Sequence, residues 1–210
     1  MGRRDNPYKR PDRFTRDAKQ RGFPARSVFK LEEIDKKVGL FRRGQRVLDL
    51  GAAPGSWSLY AAERIGPEGR LLAVDLAPLT QTPPRQVTFR EADALALDMG
   101  DLSLFAPYDV VLSDMAPRTT GTRGADQAKS FELFARALDV AAAVLRPQGK
   151  FVGKIFMGPD FPEAKKRVKA LFENERAIRP EGTRESSFEI FLVGLGRRPP
   201  AKVPAAGDSR

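Results

Sequence analysis

Three charged residues lie within segments whose other residues are typical of buried strands. Lys154 interrupts the apolar run FVGKIF, Glu189 interrupts FEIFLVG, and Asp114 ends the segment YDVVLSD. A buried charge is costly unless it is paired, so these residues are either paired for structural reasons or used in chemistry. The simplest interpretation is a structural ion pair between Lys154 and Glu189.

A second interpretation gives Lys154 a chemical task, in which its amine draws the proton from a poorly nucleophilic hydroxyl such as that of a ribose. The chain contains no histidine, so lysine is the best remaining side chain for a general base. A free lysine has a pKa of about 10.4 and stays protonated, but a second cation nearby and partial burial both lower that pKa. Lys30 is the candidate for the second cation, and the two acids would orient the amine.

Small and acidic residues elsewhere indicate a nucleoside-like cofactor. The turn DLGAAPGSWS follows one predicted strand, and the next strand ends in Asp75, where a carboxylate can accept hydrogen bonds from both hydroxyls of a ribose. The turn lacks the G-x-G-x-x-G spacing of dinucleotide sites, and Pro54 removes an N–H group that a pyrophosphate would need. A methionine-derived sulfonium cofactor carries no phosphate and fits this turn, although a tight strand–helix connection would also explain it. Asp93, after the third strand, is a candidate acceptor for an adenine amino group.

These residues need a scaffold that brings strand ends together, and the alternation of strands and helices supplies one. Strands rich in Val, Leu and Ile alternate with helical segments, which predicts an α/β fold with a mostly parallel sheet covered by helices on both faces. Ligands of such sheets bind beyond the carboxyl ends of the strands. The pattern predicts strands at 46–50, 70–75, 86–93, 108–114, 150–156 and 188–194, and helices at 26–38, 56–65, 126–145, capped by Asp126, and 160–172.

Composition limits the class of protein. The chain has 210 residues, no cysteine and a net charge of +10, which suits one domain and excludes disulfides, thiolate nucleophiles and Cys/His zinc sites, so we predict no metal site. The basic balance predicts a polyanionic partner. No apolar run reaches the length of a transmembrane helix and the first residues are polar, so we expect no membrane contact, no signal peptide and a cytoplasmic protein.

The two ends of the chain differ from its middle. Residues 1–25 form a basic leader that we expect to be flexible, since residues 1–26 carry nine Lys and Arg against three Asp and few apolar residues. The leader is either a solvated tail or an arm on a phosphate backbone. Residues 26–196 hold the strand–helix pattern of one domain, and residues 197–210 form a Pro/Ala-rich tail.

Several motifs together carry a resemblance to a known family. From about Arg21 to Arg198 the chain resembles the FtsJ/RrmJ family of RNA 2′-O-ribose methyltransferases, and most of all its compact bacterial members that act on large-subunit ribosomal RNA. This resemblance implies a Rossmann-like methyltransferase fold with seven strands, the last one antiparallel, so one strand near 174–179 is missing from the pattern above. The matching segments are RSVFKLEEID, VLDLGAAPGSWS, DLAP, SDMAPRTTG, GKFVGKIF and SSFEIFLVG.

The resemblance also implies roles for individual residues. A catalytic tetrad carries over onto Lys30, Asp114, Lys154 and Glu189, with Lys154 as the base that prepares a ribose, that of a uridine, for methylation. S-adenosylmethionine is the implied cofactor, and a monomer acting on ribosomal RNA within the large ribosomal subunit is the implied arrangement. The family usually has glycine at Ser56, which fits if Ser56 has ordinary helical geometry. The implied cofactor contacts are Gly55, Trp57, Asp75, Asp93 and Asp114.

Three alternatives stay open: a transfer RNA 2′-O-ribose methyltransferase with the same tetrad, an NAD-dependent oxidoreductase, and a non-catalytic RNA-binding or ribosome assembly module on the same fold. Base methylation is disfavoured, because C5 methylation generally needs a cysteine and the segment DMAP offers no aromatic residue to stack an adenine. Four arginines near the expected methyl donor are the predicted RNA contacts. They are Arg26, Arg118, Arg123 and Arg184.

Overall fold

The computed structural model describes residues 13–183 and 187–199, and these contain one seven-stranded sheet. The strands are β1 (Arg46–Leu50), β2 (Arg70–Asp75), β3 (Val87–Glu91), β4 (Tyr108–Ser113), β5 (Leu145–Phe156), β6 (Phe172–Ile178) and β7 (Glu189–Arg197). The helices of the described residues are α1 (Arg13–Gln20), α2 (Val28–Val38), α3 (Ser56–Ile65), α4 (Met99–Leu102), α5 (Arg123–Val144) and α6 (Phe161–Leu171).

The sheet has the order β3-β2-β1-β4-β5-β7-β6, and β7 is antiparallel to both of its neighbours while the other pairs are parallel. The predicted mostly parallel sheet is therefore confirmed, including the antiparallel last strand. The missing strand is β6, which lies at the edge of the sheet. Its sequence FENERAI buries only its first and last residues, so it lacks the apolar run that marks the other strands. The chain reverses direction across the sheet between β1 and β4, which creates the switch point where ligands bind in such folds.

Helices cover both faces of the sheet and bury one apolar cluster on each. Strand residues alternate between the two clusters because successive side chains point to opposite faces. Helices α2 and α3 pack on the face that carries Val152 and Phe191, and helices α5 and α6 pack on the face that carries Phe151 and Leu192. Lys154 points to the same face as Val152, two residues before it. No helix among the described residues is both long and apolar enough to cross a membrane.

The start of α5 differs from the prediction. The helix begins at Arg123 with Thr122 as its N-cap residue, so the predicted capping role of Asp126 was wrong. Asp126 lies in the first turn, where its carboxylate accepts hydrogen bonds from the backbone N–H groups of Thr120 at 2.8 Å and Gly121 at 3.3 Å. The side chain therefore fixes the loop that precedes the helix.

Part of the leader also differs from the flexible segment that we expected. Helix α1 packs on the domain through Ala18, and Phe23 follows it into the same core, with exposed fractions of 0% and 4%. Phe14 contacts Phe29 of α2, with ring centroids 5.7 Å apart. Residues 1–12 and 200–210 lie outside the described residues, and the domain boundaries at 26 and 196 stay predictions.

Candidate active site

Lys154 and Asp114 meet at the carboxyl end of β4, two residues before β5 ends. These strands pair in parallel, with Ser113 opposite Gly153, so the next residue of each strand is brought beside the other. The Nζ atom of Lys154 donates a hydrogen bond to the backbone carbonyl of Asp114 at 2.6 Å and lies 2.9 Å from its carboxylate Oδ1. Lys154 is only 7% exposed, so the amine is held at a fixed position with little access to water.

Lys30 and Glu189 form a second ion pair next to the first. Lys30 lies in the first turn of α2 and Glu189 begins β7, and their side chains are 13% and 12% exposed. Burial acts to raise the pKa of Glu189, but the charge and hydrogen bond of Lys30 and the charge of Lys154 outweigh burial and hold that pKa below its ordinary value. Glu189 is therefore a carboxylate held ionised by two lysines.

The four residues of the predicted tetrad thus come together, but not as the Lys154–Glu189 pair of the simplest interpretation. Lys154 pairs with Asp114, and Lys30 pairs with Glu189. Two positive and two negative charges balance within the cluster, which is the condition under which such groups can be buried. The arrangement presents an oriented amine that can exchange a proton with a bound hydroxyl.

A cavity of about 350 Å³ opens beside Asp114, at the carboxyl ends of the central strands. We call it the acidic cavity, because Asp75, Asp93 and Asp114 line it among mostly apolar neighbours such as Val74 and Met115. Three of the predicted cofactor-binding residues therefore face one cavity. Their carboxylates suit a ligand that carries hydroxyl or amino donors and a positive charge.

Asp75 also ties the turn after β1 to the end of β2. Its Oδ2 accepts a hydrogen bond from the N–H of Ala53, and its Oδ1 accepts one from the N–H of Ala77, both at 2.9 Å. Asp93 accepts a bond from the N–H of Leu95 at 2.9 Å. Because a carboxylate oxygen can accept more than one hydrogen bond, both acids keep acceptor capacity for a ligand.

The turn between β1 and α3 depends on glycine at two positions. Gly51 has φ 78°, and a Cβ there would lie 2.7 Å from the side chain of Met115, so its glycine serves close packing against the segment after β4. Gly55 has φ 115° and precedes α3, a conformation that favours glycine. Ser56 begins the helix without a positive φ, and its hydroxyl bonds both backbone groups of Ala25. Serine therefore fits where the family usually has glycine.

Trp57 lies in the core and not in the acidic cavity. Its indole N–H donates to the carbonyl of Ser27 at 2.9 Å, and its ring packs on Phe191 with a centroid separation of 5.6 Å. Neither Trp57 nor Gly55 is among the residues that line the cavity. Their predicted contact with a cofactor stays a prediction, while the side chain of Trp57 joins the start of α2 to α3.

The predicted RNA-contacting arginines occupy different environments. Arg118 and Arg123 are exposed beyond the end of β4 and at the start of α5. Arg26 is half-buried, donates to the carbonyl of Gly182 at 2.7 Å and lies over the ring of Phe14, so it also has a structural role. Arg184 lies outside the described residues.

Sequence reasoning missed Asp49, which lies fully buried in β1. Burial, with the nearby charges of Asp114 and Asp75, raises its pKa to about 7, although a 2.6 Å hydrogen bond from the hydroxyl of Ser58 opposes that shift. The signal was present, because Asp49 interrupts the apolar strand RVLDL as Lys154 interrupts FVGKIF. In the described residues, no group of three or more acidic side chains is arranged to hold a metal ion.

Comparison with known proteins finds relatives that match over most of the chain. The chain is 64% identical over 198 residues to the ribosomal RNA large subunit methyltransferase E of Sorangium cellulosum, covering 94% of this chain and 93% of that protein. It is 48% identical over 195 residues to the enzyme of the same name from Bdellovibrio bacteriovorus, covering 91% of this chain and 99% of that one.

Solved structures share the fold at lower identity. A Plasmodium falciparum protein described as a ribosomal RNA methyltransferase superposes with a TM-score of 0.72 at 22% identity, over 83% of this chain and 98% of that one. Fibrillarin of Aeropyrum pernix, solved with natively bound S-adenosyl-L-methionine, superposes with a TM-score of 0.55 at 16% identity, over 80% and 76% of the two chains. The family described as FtsJ-like methyltransferase matches residues 23–197. The chain belongs to the FtsJ-like methyltransferase family.

Proposed function

We propose that this protein transfers a methyl group from S-adenosylmethionine to the 2′-hydroxyl of a uridine ribose in large-subunit ribosomal RNA. The observation that carries the proposal is the buried amine of Lys154, held 2.9 Å from the carboxylate of Asp114 at the edge of the acidic cavity. The names of its relatives, which are large-subunit ribosomal RNA methyltransferases, support the choice of RNA.

The acidic cavity fits S-adenosylmethionine in volume and in chemistry. At about 350 Å³ it falls within the range of small-molecule sites. Asp75 would accept the ribose hydroxyls, Asp93 would accept the adenine amino group, and the three carboxylates together would attract the positive sulfonium. When bound there, the cofactor supplies an electrophilic methyl group.

Lys154 would handle the proton of the substrate hydroxyl. For this step Lys154 would first lose its own proton to solvent. As the hydroxyl oxygen takes up the methyl group, the hydroxyl proton would then pass to Nζ and restore the ammonium. The carbonyl and carboxylate of Asp114 already contact Nζ, so they orient the amine and stabilise the charge that forms on it. The Lys30–Glu189 pair places a second cation and its counterion beside this step.

Methyl transfer from isotopically labelled S-adenosylmethionine tests the proposal. Large and small ribosomal subunits from a bacterial strain that lacks this modification, and transfer RNA, are offered separately, and the product is digested to nucleosides. We expect label on the ribose of uridine from the large subunit. Label on a base, label on transfer RNA alone, or tight NAD binding without transfer would each contradict it, and a Lys154→Met variant is the background control.

We further propose a cytoplasmic monomer that docks on the subunit through its basic surface. The net charge of +10 supports a polyanionic partner, and phosphate contacts should make binding fall steeply with salt. Arg26, Arg118, Arg123 and Arg184 are the residues that we propose for these contacts. A flat salt response would contradict a docking role for the basic residues.

A further inference from the structure

A second cavity of about 320 Å³ lies beyond the end of β5 and is lined in part by Phe156, Phe188, Arg123 and Gln127. We call it the aromatic cavity. Phe188 is 47% exposed, so part of its ring is open to a ligand. The guanidinium of Arg123 lies over its ring, 4.1 Å from the centroid. A planar cation and a planar aromatic ring are therefore presented together at the surface.

Two residues that line this cavity, Phe156 and Phe188, are neighbours of Glu189 across the sheet and along the chain. Phe156 of β5 is paired in register with Glu189 of β7, and directly opposed residues of antiparallel strands lie side by side on one face. Phe188 precedes Glu189, and its carbonyl accepts a hydrogen bond from the N–H of Met157 at 2.8 Å. The position of the ring is thus fixed by the same strand pair that holds Lys154 and Glu189.

The lining of the aromatic cavity matches a nucleobase better than it matches the cationic ligand that suits the acidic cavity. Unpaired bases of RNA stack on aromatic rings and on arginine guanidinium planes. Asp126 also lines the cavity, but hydrogen bonds from the backbone and hydroxyl of Thr120 and from Gly121 occupy its carboxylate and hold its pKa below the usual value. Its charge is therefore satisfied within the loop.

We propose that Phe188 and Arg123 form a platform on which an unpaired nucleobase of the substrate RNA stacks beside the methylated ribose. The proposal rests on the proposed function and adds the subsite that positions the nucleotide. The side-chain amide of Gln127 donates to the carbonyl of Met157, which leaves its oxygen as an acceptor for a base edge. Phe188 is thus a positioning residue that touches the RNA, while proton transfer stays with Lys154.

Binding of single-stranded RNA probes by the full chain tests the platform without any need for catalysis. The probes are an end-labelled twelve-residue oligouridine and an abasic ribose-phosphate oligomer of the same length. We expect the wild-type protein to bind oligouridine more tightly. Loss of one stacked base should weaken oligouridine binding by about tenfold in Phe188→Ala and leave the abasic oligomer unaffected, while Phe188→Trp keeps the wild-type preference. Leu104→Ala, which removes another exposed apolar side chain, is the matched control.

Steady-state methylation of large subunits gives the second readout. Phe188→Ala should raise the KM for the subunit by about tenfold with an unchanged dissociation constant for S-adenosylmethionine. If the wild-type protein transfers no methyl group to RNA, the proposed function fails, while the probe comparison still decides the platform. Equal binding of oligouridine by wild type and Phe188→Ala, an equal loss on the abasic oligomer, or no wild-type preference for oligouridine would each overturn the platform.

Discussion

The two cavities at the carboxyl ends of the central strands have opposite chemistry. The acidic cavity presents the carboxylates of Asp75, Asp93 and Asp114, whereas the aromatic cavity presents Phe188 with Arg123 stacked on it. Their volumes are similar, at about 350 and 320 Å³, so the difference lies in the charge and the residue types of the lining. The acidic cavity suits a small cation, and the aromatic cavity suits a planar base within a polyanion.

This difference would let one end of the sheet serve the two proposed reactants. A cationic methyl donor and an anionic RNA would each be attracted to the cavity of complementary charge and repelled from the other. In the proposed reaction they would meet at the tetrad, where Asp114 lines the acidic cavity and Glu189 is paired across the sheet with Phe156, which lines the aromatic cavity. Each pair holds one positive and one negative charge, so the tetrad adds no net charge between the two cavities.

The largest expected effect comes from replacing Lys154, the proposed base of the tetrad. Lys154→Met removes the proton acceptor, so kcat should fall by about 10²–10⁴-fold, while the affinities for S-adenosylmethionine and oligouridine stay close to wild type. Lys154→Arg keeps the charge beside Asp114 but cannot act as a base, so it should lose as much activity and less stability. Single-turnover transfer at saturating cofactor measures the effect.

Lys166→Met, which alters an exposed lysine of α6, controls for the loss of positive charge. A Lys154→Arg variant with wild-type turnover would show that Lys154 contributes only charge, and the tetrad would then be structural.

The second effect comes from removing one charge of the Lys30–Glu189 pair. Lys30→Met leaves Glu189 buried without its main partner, which should cost about 3 kcal/mol of unfolding free energy at pH 7. In the wild type the lowered pKa of Glu189 stabilises the fold above the ordinary carboxyl pKa, and that stabilisation disappears as the pH falls through the lowered native value. The deficit of Lys30→Met should therefore shrink towards low pH.

Urea unfolding at pH 7 and pH 4 measures this difference. The double variant Lys30→Met/Glu189→Gln removes both charges and should recover most of the stability at pH 7. If the double variant is no more stable than Lys30→Met, the cost does not arise from an unpaired carboxylate.

The third effect lowers the affinity of the acidic cavity for its ligand and leaves that of the aromatic cavity unchanged. Asp75→Asn removes one of the three charges of the acidic cavity, so the dissociation constant for S-adenosylmethionine should rise by about 10–100-fold, the usual value of a hydrogen bond to a charged group. Affinity for oligouridine should not change. Calorimetric titration of both ligands checks this, with Asp139→Asn, an exposed carboxylate of α5, as the control. Equal losses for both ligands would mean that the variant damages the fold.

The sequence pattern predicted the central sheet and both members of each ion pair, but not which charges pair. Lys154 and Asp114 are 40 residues apart, and only the parallel register of β4 with β5 places them together. Helix α1 and strand β6 were missed for another reason. Both are short and largely polar, so their conformation depends on packing against the rest of the sheet and α2 and not on local periodicity.

The aromatic cavity was beyond sequence reasoning, even though Arg123 was a predicted RNA contact. Phe188 belongs to the run FEIFLVG and was expected within the last strand, where an apolar residue is usually buried. The strand begins one residue later, at Glu189, and Phe188 lies just before it, in the lining of the aromatic cavity. The ring is consequently 47% exposed, which the apolar run by itself does not indicate.

The smallest expected effect concerns Asp49, a buried acid of β1 whose pKa responds to the charges of Asp75 and Asp114 in the acidic cavity. Among the described residues that line the aromatic cavity, no strand residue is a buried acid. Its pKa of about 7 in the folded protein exceeds the value of an unfolded aspartate, so the folded state holds a proton that the unfolded state has lost. Stability should therefore fall as the pH rises towards 7 and level off above it. Between pH 6 and 8 this amounts to about 1.4 kcal/mol, one pKa unit of differential proton binding. Asp49→Asn should abolish that decline, as measured by urea unfolding across the range, whereas Glu68→Gln at an exposed carboxylate should retain it. An Asp49→Asn variant that still loses stability with the wild-type slope would place the titrating group elsewhere.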